Sequence, residues 1–366
     1  VTALLPPMEV AARRERLRPL LDDAGVDALL VTHLTNVRYL TGFTGSAGVL
    51  VIGHDRTTLV TDGRYADQAP AQVTASGAEV AVEIAGPDQR AVVARLLGSV
   101  PRLGLEADTL PWGQVRAWGA ALGGTELVAT SGVVESLREQ KDEGEIARMR
   151  AAAAIADEAL AAVLPMLATG PTEADFGREL DAAMRRSGAS GPSFETIVAS
   201  GPNAALPHAR PGERRVGRGE LVVLDFGAVV DGYCSDMTRT VCVGEPGDED
   251  RRHYEVVRDA QAAGVAAVRA GVSAKSVDQA CRSVIEAAGW GDRFTHGTGH
   301  GVGLDVHEAP RVAATATATL RPGHVVTVEP GVYLPSRAGV RVEDTVVVTD
   351  TGCVPLTLTP KELCVV

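Results

Sequence analysis

Apolar positions recur at helical spacing from Glu9 to Ala24, with Arg13, Arg14, Arg16 and Arg18 among the polar positions between them. This pattern predicts an amphipathic helix. It gives way to short apolar runs at Asp27 to Thr32, Val49 to Ile52 and Thr58 to Thr61, which read as strands. Gly42, Gly45 and Gly48 break the stretch between the first two runs into turns. The alternation predicts an α/β domain that ends near Gly132 and carries no cluster of His, Cys and carboxylates. From Ser136 a charged helical pattern runs through an alanine-rich stretch to Leu167, where Gly170-Pro171 stops it. Thr172, three residues before Asp175, then restarts a helix with a capping-box-like signal. The predicted domains are 1–135 and 136–366, since a chain of 366 residues exceeds what one core usually serves.

The second domain contains an internal echo. Gly219 to Gly227 reads GELVVLDFG and Gly323 to Gly331 reads GHVVTVEPG, each an apolar strand ending in a carboxylate. Each is followed by a second strand with a carboxylate two residues before Thr: Asp236-Met237-Thr238 and Glu343-Asp344-Thr345. A duplicated supersecondary unit explains the match, and packing about a pseudo-twofold axis would bring four carboxylates to one place.

Asp231-Gly232 suits a two-residue hairpin loop. Val230 then faces Tyr233, Asp236 lies opposite Gly227, and Asp225 and Asp236 form a diagonal cross-strand pair roughly 7–8 Å apart at the backbone. Such a pair suits bridging two cations about 3.5–4 Å apart, with Gly227 expected to leave the floor between them open. The second hairpin is expected to have a longer loop, Pro330 to Ala338, with Glu329 ending its strand because Pro330 donates no ladder bond. Arg341 and Glu343 alternate onto one face, Val340 and Val342 onto the other.

Between the hairpins runs HGTGHGVGLDVHE, with glycines at 297, 299, 301 and 303 and histidines at 296, 300 and 307. The glycines allow the backbone to approach a ligand closely. Three imidazoles in one irregular loop, flanked by carboxylate-bearing strands, point to a site rather than to packing. Carboxylates with imidazole make a hard donor set suited to Mn, Co, Zn or Fe, unlike a thiolate-rich structural zinc site. His33, His54, His253 and His324 read as surface or packing residues.

Composition narrows the classes. The net charge of -12 argues against nucleic-acid and anionic-membrane partners. Met8 to Leu21 lacks the apolar core of a signal peptide, and Ala151 to Ala168 is interrupted by Asp157, Glu158 and Pro165, so neither is expected to span a membrane. Five cysteines without Cys-x-x-Cys spacing read as reduced thiols in a cytoplasmic protein.

At the residues above, the sequence resembles the creatinase/prolidase/aminopeptidase P ("pita-bread") metallopeptidases of the M24 group. His296 to Glu308 matches that signature across its length, with Asp225 in LDFG, Asp236 in SDMTRT, Glu329 in VEPG and Glu343 in GVRVED. NVRYLTGFTGSAG (Asn36 to Gly48) and TDGRY (Thr61 to Tyr65) are similar to the noncatalytic N-terminal domain of the bacterial aminopeptidase P-like branch. The resemblance implies a creatinase-like α/β domain followed by a pita-bread catalytic domain. It implies two divalent metal ions per subunit, Mn first, held by Asp225, Asp236, His300, Glu329 and Glu343, with Asp236 and Glu343 touching both. Water would be the nucleophile and Glu329 the general base. His208 (in LPHAR) would contact substrate near the scissile bond, and His307 the scissile carbonyl and the oxyanion that follows. His296 and Arg341 would line the proline pocket and orient the substrate. Tyr333 is expected only to support these groups.

The implied activity is release of the N-terminal residue from peptides with proline second. The nearest rival is a prolidase restricted to Xaa-Pro dipeptides. A methionine aminopeptidase shares the ligands but usually lacks the N-terminal domain. A noncatalytic binding module and a metal-free creatinase-type amidinohydrolase are disfavoured by the filled ligand positions. A homodimer, or a tetramer, follows from the resemblance alone.

Overall fold

A computed structural model describes residues 5–366 other than Pro87. The chain divides into two compact units, Pro6–Arg138 and a second comprising Glu139–Val366.

In the first unit the predicted helix spans Val10–Asp23, and the predicted strands appear as Ala28–Val31, Val49–Ile52 and Thr57–Asp62. They join a mixed six-stranded sheet in the order Ala81–Ala85, Thr57–Asp62, Val49–Ile52, Ala28–Val31, Arg102–Glu106, Glu126–Thr130. Leu30, Val51, Val60, Leu103 and Leu105 are buried in this sheet against Val93, Leu97 and Trp118 of two covering helices.

The second unit repeats one plan twice, two helices followed by a sheet. Glu143–Val163 and Glu173–Arg186 precede a sheet ordered Cys364–Val365, Met237–Cys242, Leu221–Phe226, Ile197–Ser200. Asp248–Ala267 and Ala274–Ala287 precede one ordered Glu308–Val312, Gly299–Gly301, Val325–Val328, Asp344–Val348, Cys353–Pro355. Each helix pair buries its own sheet. Ala156, Leu160, Phe176 and Leu180 pack against Val222, Leu224 and Met237, while Val257, Ala260, Val277 and Cys281 pack against Val326, Val328 and Val346. Both echoed strands thus have a fully apolar back and a polar tip.

The long helical pattern expected from Ser136 to Leu167 is interrupted. A single turn at Glu135–Arg138 ends, and a new helix starts at Glu143 under a capping box. The Asp142 side chain accepts from the Glu145 amide at 2.8 Å, and the Glu145 side chain accepts from the Asp142 amide at 3.0 Å. Together they satisfy two orphan donors, which explains the restart. Glu143–Thr169 is long and apolar enough to cross a membrane by length and composition, and its Ala152, Ala156, Ala159 and Leu160 lie in the protein core. Thr172 caps the next helix as expected, its side chain accepting from the Asp175 amide at 3.0 Å.

Candidate metal centre

The first hairpin turns where the sequence predicts. Asp231 and Gly232 both have positive φ, 45° and 77°, as a type I′ turn requires. Val230 pairs with Tyr233, and the same register continues to Phe226 with Met237 and Asp225 with Thr238. Asp236 therefore lies across from Gly227 and diagonal to Asp225. Gly227 serves a different end from the open floor expected of it. A Cβ there would lie 1.9 Å from the Ser235 carbonyl oxygen and 2.2 Å from Ser193 Oγ, so the glycine permits a close backbone approach.

The second hairpin is more ordered than a long loop. Gly331–Leu334 pairs with Ala338–Arg341, so only the residues between Leu334 and Ala338 form the turn. Val328 pairs with Asp344 and Gly331 with Arg341, which places Glu329 directly across from Glu343. The two echoes thus differ by two residues in register: Asp225 faces Thr238, whereas Glu329 faces the second carboxylate itself.

The inner strands of the two hairpins bond to each other. The Glu343 amide donates to the Thr238 carbonyl at 3.1 Å, Thr345 Oγ1 to the Asp236 carbonyl at 2.8 Å, and Thr240 Oγ1 to the Arg341 carbonyl at 2.8 Å. The glycine-rich segment closes over them. Gly299 sits where a Cβ would be 2.0 Å from the Thr327 carbonyl oxygen, and the Glu329 amide donates to the Thr298 carbonyl at 2.7 Å.

This arrangement brings donor atoms of Asp236, His300 and Glu343 within 4.8 Å of one another. His300 Nε2 lies 3.4 Å from Glu329 Oε1 and 3.6 Å from Asp236 Oδ2. Asp225 joins through Arg341, whose Nη2 donates to Asp225 Oδ2 at 2.6 Å, while Asp225 Oδ1 is buried without a protein partner.

The site gathers buried acidic groups whose ionised forms are costly without a counter-charge. Burial, then the charges of neighbouring carboxylates, push Asp236 and Glu343 well above the usual carboxylate range, and burial pushes Glu329 up to about 8. Burial holds His300 down to about 4, so its imidazole is neutral at pH 7. His300 Nδ1 donates to the Gly301 carbonyl at 2.9 Å, which leaves a lone pair on Nε2 facing two carboxylate oxygens. A carboxyl proton can occupy that gap, and a cation that ionises the carboxyls would take its place there. An imidazole with hard oxygen donors suits a divalent Mn, Co, Zn or Fe ion.

The remaining predicted residues surround this cluster. His307 is exposed, its ring edge-on to His300 with centroids 4.4 Å apart. His208 is exposed on the loop that follows Gly201–Ala205. Burial, with the charges of Arg341 and His208, lowers His296 to about 4. Arg341 is buried and directs four bonds at protein atoms: Nε to Thr238 Oγ1 at 3.0 Å, Nη1 to the Tyr333 hydroxyl at 2.8 Å and the Pro207 carbonyl at 3.2 Å, and Nη2 to Asp225. The Tyr333 hydroxyl lies 2.8 Å from His296 Nε2, and His296 Nδ1 lies 2.8 Å from the Gly297 carbonyl. The donors fix the order: Nδ1–H goes to the carbonyl, so the tyrosine accepts from Arg341 and donates to Nε2.

Sequence reasoning did not select Thr238, whose hydroxyl donates to Glu343 Oε2 at 2.6 Å and accepts from Arg341. Its place in the echo, two residues after each second carboxylate, was the available signal. Thr327, which donates to Glu329 Oε1 at 3.3 Å, also carries more of the site than its sequence neighbourhood suggests.

Comparison with known proteins finds matches over both units. The model of metallopeptidase family M24 matches residues 147–350, and that of the creatinase/prolidase N-terminal domain matches residues 13–140. An uncharacterized peptidase of Bacillus subtilis, YqhT, is 44% identical over 353 residues, covering 96% of this chain and 99% of that protein. Among solved structures, an Xaa-Pro dipeptidase from Bacillus anthracis is 41% identical with a TM-score of 0.94, covering 98% of this chain and 100% of that one. An X-Pro aminopeptidase from Thermotoga maritima is 34% identical with a TM-score of 0.89, covering 97% of this chain and 100% of that one.

Proposed function

The chain belongs to metallopeptidase family M24, and from that premise we propose that it hydrolyses the Xaa-Pro bond of peptides with proline second, as an Xaa-Pro aminopeptidase. The observation that carries the reading is the convergence of Asp236, His300 and Glu343 within 4.8 Å, with Glu329 and Asp225 beside them. These five residues would hold a pair of divalent ions, Mn first. Bound there, the pair supplies Lewis acidity that lowers the pKa of water and polarises the scissile carbonyl.

The chain's own groups do the rest. Glu329 takes the proton of the attacking water and returns it to the proline nitrogen as that bond breaks. His307, exposed beside His300, donates to the carbonyl oxygen and to the oxyanion it becomes. His208 contacts the substrate near the same bond, and His296 lines the proline pocket. Arg341 orients the substrate side of the site by acting through two groups: it holds Asp225 by an ion pair and, through Tyr333, keeps His296 in one tautomer. Proline makes the bond a tertiary amide of restricted geometry, which a fixed pocket can select.

A dipeptidase restricted to Xaa-Pro is the second reading, favoured by the likeness to the Bacillus anthracis enzyme. Measured hydrolysis of Xaa-Pro against Xaa-Pro-Yaa-Yaa, with added Mn, separates the two. Cleavage of the dipeptide alone removes the aminopeptidase reading. Protein purified without dialysis that holds no divalent metal, and shows no Mn-stimulated cleavage of either peptide, removes both. The five cysteines are all free thiols, which suits a cytoplasmic setting, and a homodimer is the expected state, read by light scattering.

A further inference from the structure

We propose that Glu173 is a positioning residue for His208, acting through both ends of the loop that carries it. The inference rests on the reading of His208 as a substrate contact. Glu173 opens the helix Glu173–Arg186 and is fully buried, yet its carboxylate faces neither the metal centre nor an ion pair of its own. It faces the start and the end of one loop.

At the start, Oε1 accepts from the Ser200 amide at 2.8 Å and from Ser200 Oγ at 2.7 Å. Asn203 Nδ2 reaches both oxygens, at 3.1 and 3.0 Å. At the end, Oε2 accepts from the Gly212 amide at 3.3 Å. The helix's first amides close the same end, Glu173 N donating to the Arg214 carbonyl at 2.9 Å and Ala174 N to the Gly212 carbonyl at 3.0 Å. Arg214 Nη1 adds a bond to Ser200 Oγ at 2.6 Å, so the one hydroxyl is shared between the anion and a cation.

Between these anchors the chain turns on itself, the Leu206 amide donating to the Asn203 carbonyl at 2.9 Å and the Ala209 amide to the Leu206 carbonyl at 3.1 Å. Ala204 and Ala209 are buried, whereas Leu206 and His208 are exposed. The Pro207 carbonyl accepts from Arg341, which couples the loop to the residue that holds Asp225. For an exposed histidine the loop frame that carries it sets much of its location. A buried carboxylate that accepts from both ends fixes that frame, because any opening of the loop strands an anion without donors. Catalytic geometry tolerates little such freedom.

Glu173→Gln is the informative change, since it keeps the volume and replaces one acceptor with an NH2 group that cannot take the Gly212 or Asn203 donors. A double-mutant cycle with His208→Ala reads the coupling. Glu173→Gln alone lowers kcat/KM for an Xaa-Pro peptide about tenfold or more, bound metal is unchanged by elemental analysis, and in the His208→Ala background the same change has less than about a twofold effect. Hydrogen exchange rises in residues 201–212 and stays level in 221–226 and 325–328, a readout that needs no activity. If Glu173→Gln fails to fold, Asn203→Ala, which deletes the two bonds at one anchor, takes its place with the same pattern expected. Equal losses with and without His208, or unchanged exchange in the loop, overturn the inference. An enzyme inactive on every Xaa-Pro peptide but with increased loop exchange in Glu173→Gln would instead sink the proposed function and leave the loop device standing.

Discussion

Arg341→Met tests how the centre is held together before any ion is considered. The substitution keeps most of the side chain's length and apolar stem while deleting the guanidinium. Four bonds disappear, to Thr238, Tyr333, Pro207 and Asp225, and the Asp225 carboxylate is left buried beside three other acidic groups. The Arg341 and Asp225 side chains are 4% and 15% exposed, so solvent does little to replace the lost partner. Removing one member of a buried ion pair costs about 3–5 kcal/mol, mostly through the charge left behind. For a unit of this size that loss corresponds to a fall in melting temperature of roughly 6–20 °C. The assay is thermal unfolding of chelator-treated protein at pH 7, followed by intrinsic fluorescence and repeated with excess Mn. Added metal should recover part of the loss, because a cation restores a counter-charge to Asp225. Arg341→Lys keeps the charge without the fork and should fall between the two. A chelator-treated Arg341→Met protein melting within about 2 °C of the parent would refute the role assigned to this residue.

Three further outcomes are expected. His300→Ala should lower bound divalent metal in undialysed protein and reduce Xaa-Pro hydrolysis at least about a hundredfold; full metal content with near-parent activity would remove His300 from the ligand set. Burial holds His253 down to about 4 from an ordinary 6.5, with its Nε2 3.0 Å from the Val332 carbonyl. Its contribution is therefore fully present above pH 6.5 and is lost as pH falls toward 4, by roughly 3 kcal/mol in all; denaturant titrations over that window should show a shallower slope for His253→Gln. Gly264→Ala would put a Cβ 2.3 Å from Cys281 Sγ and 2.7 Å from Val328 Cγ1, costing about 1–3 kcal/mol. Adding Cys281→Ala should return part of that loss, and strictly additive stabilities would contradict the packing described.

Much of the fold was legible because one signal dominated each stretch. The Asp231-Gly232 dipeptide fixed a turn whose register carries on to Asp225, and the apolar backs of LVVLDF and VVTVEP allowed only buried strands. The break before Glu143 was missed because a continuous helical pattern outweighed the cap, although Asp142 and Glu145 stood three residues apart as a capping box requires. Gly227 was misread because sequence tells that a side chain is missing, and only coordinates tell which neighbour occupies the space. The hydroxyl of Thr238 escaped for a related reason: it bridges Glu343 and Arg341, about a hundred residues away, and no local pattern encodes such a meeting, whereas Tyr333 takes the supporting place expected of it.

The two-residue offset between the hairpins has a further meaning. Copying a strand pair and folding the copies face to face would, if register were kept, furnish a symmetric cradle with interchangeable halves. Here one copy sets an acid opposite a hydroxyl and the other sets acid opposite acid. The repeated plan gathers the negative charge and the two-residue offset makes its two sides chemically distinct, so a pair of identical ions entering this cleft would meet unequal company.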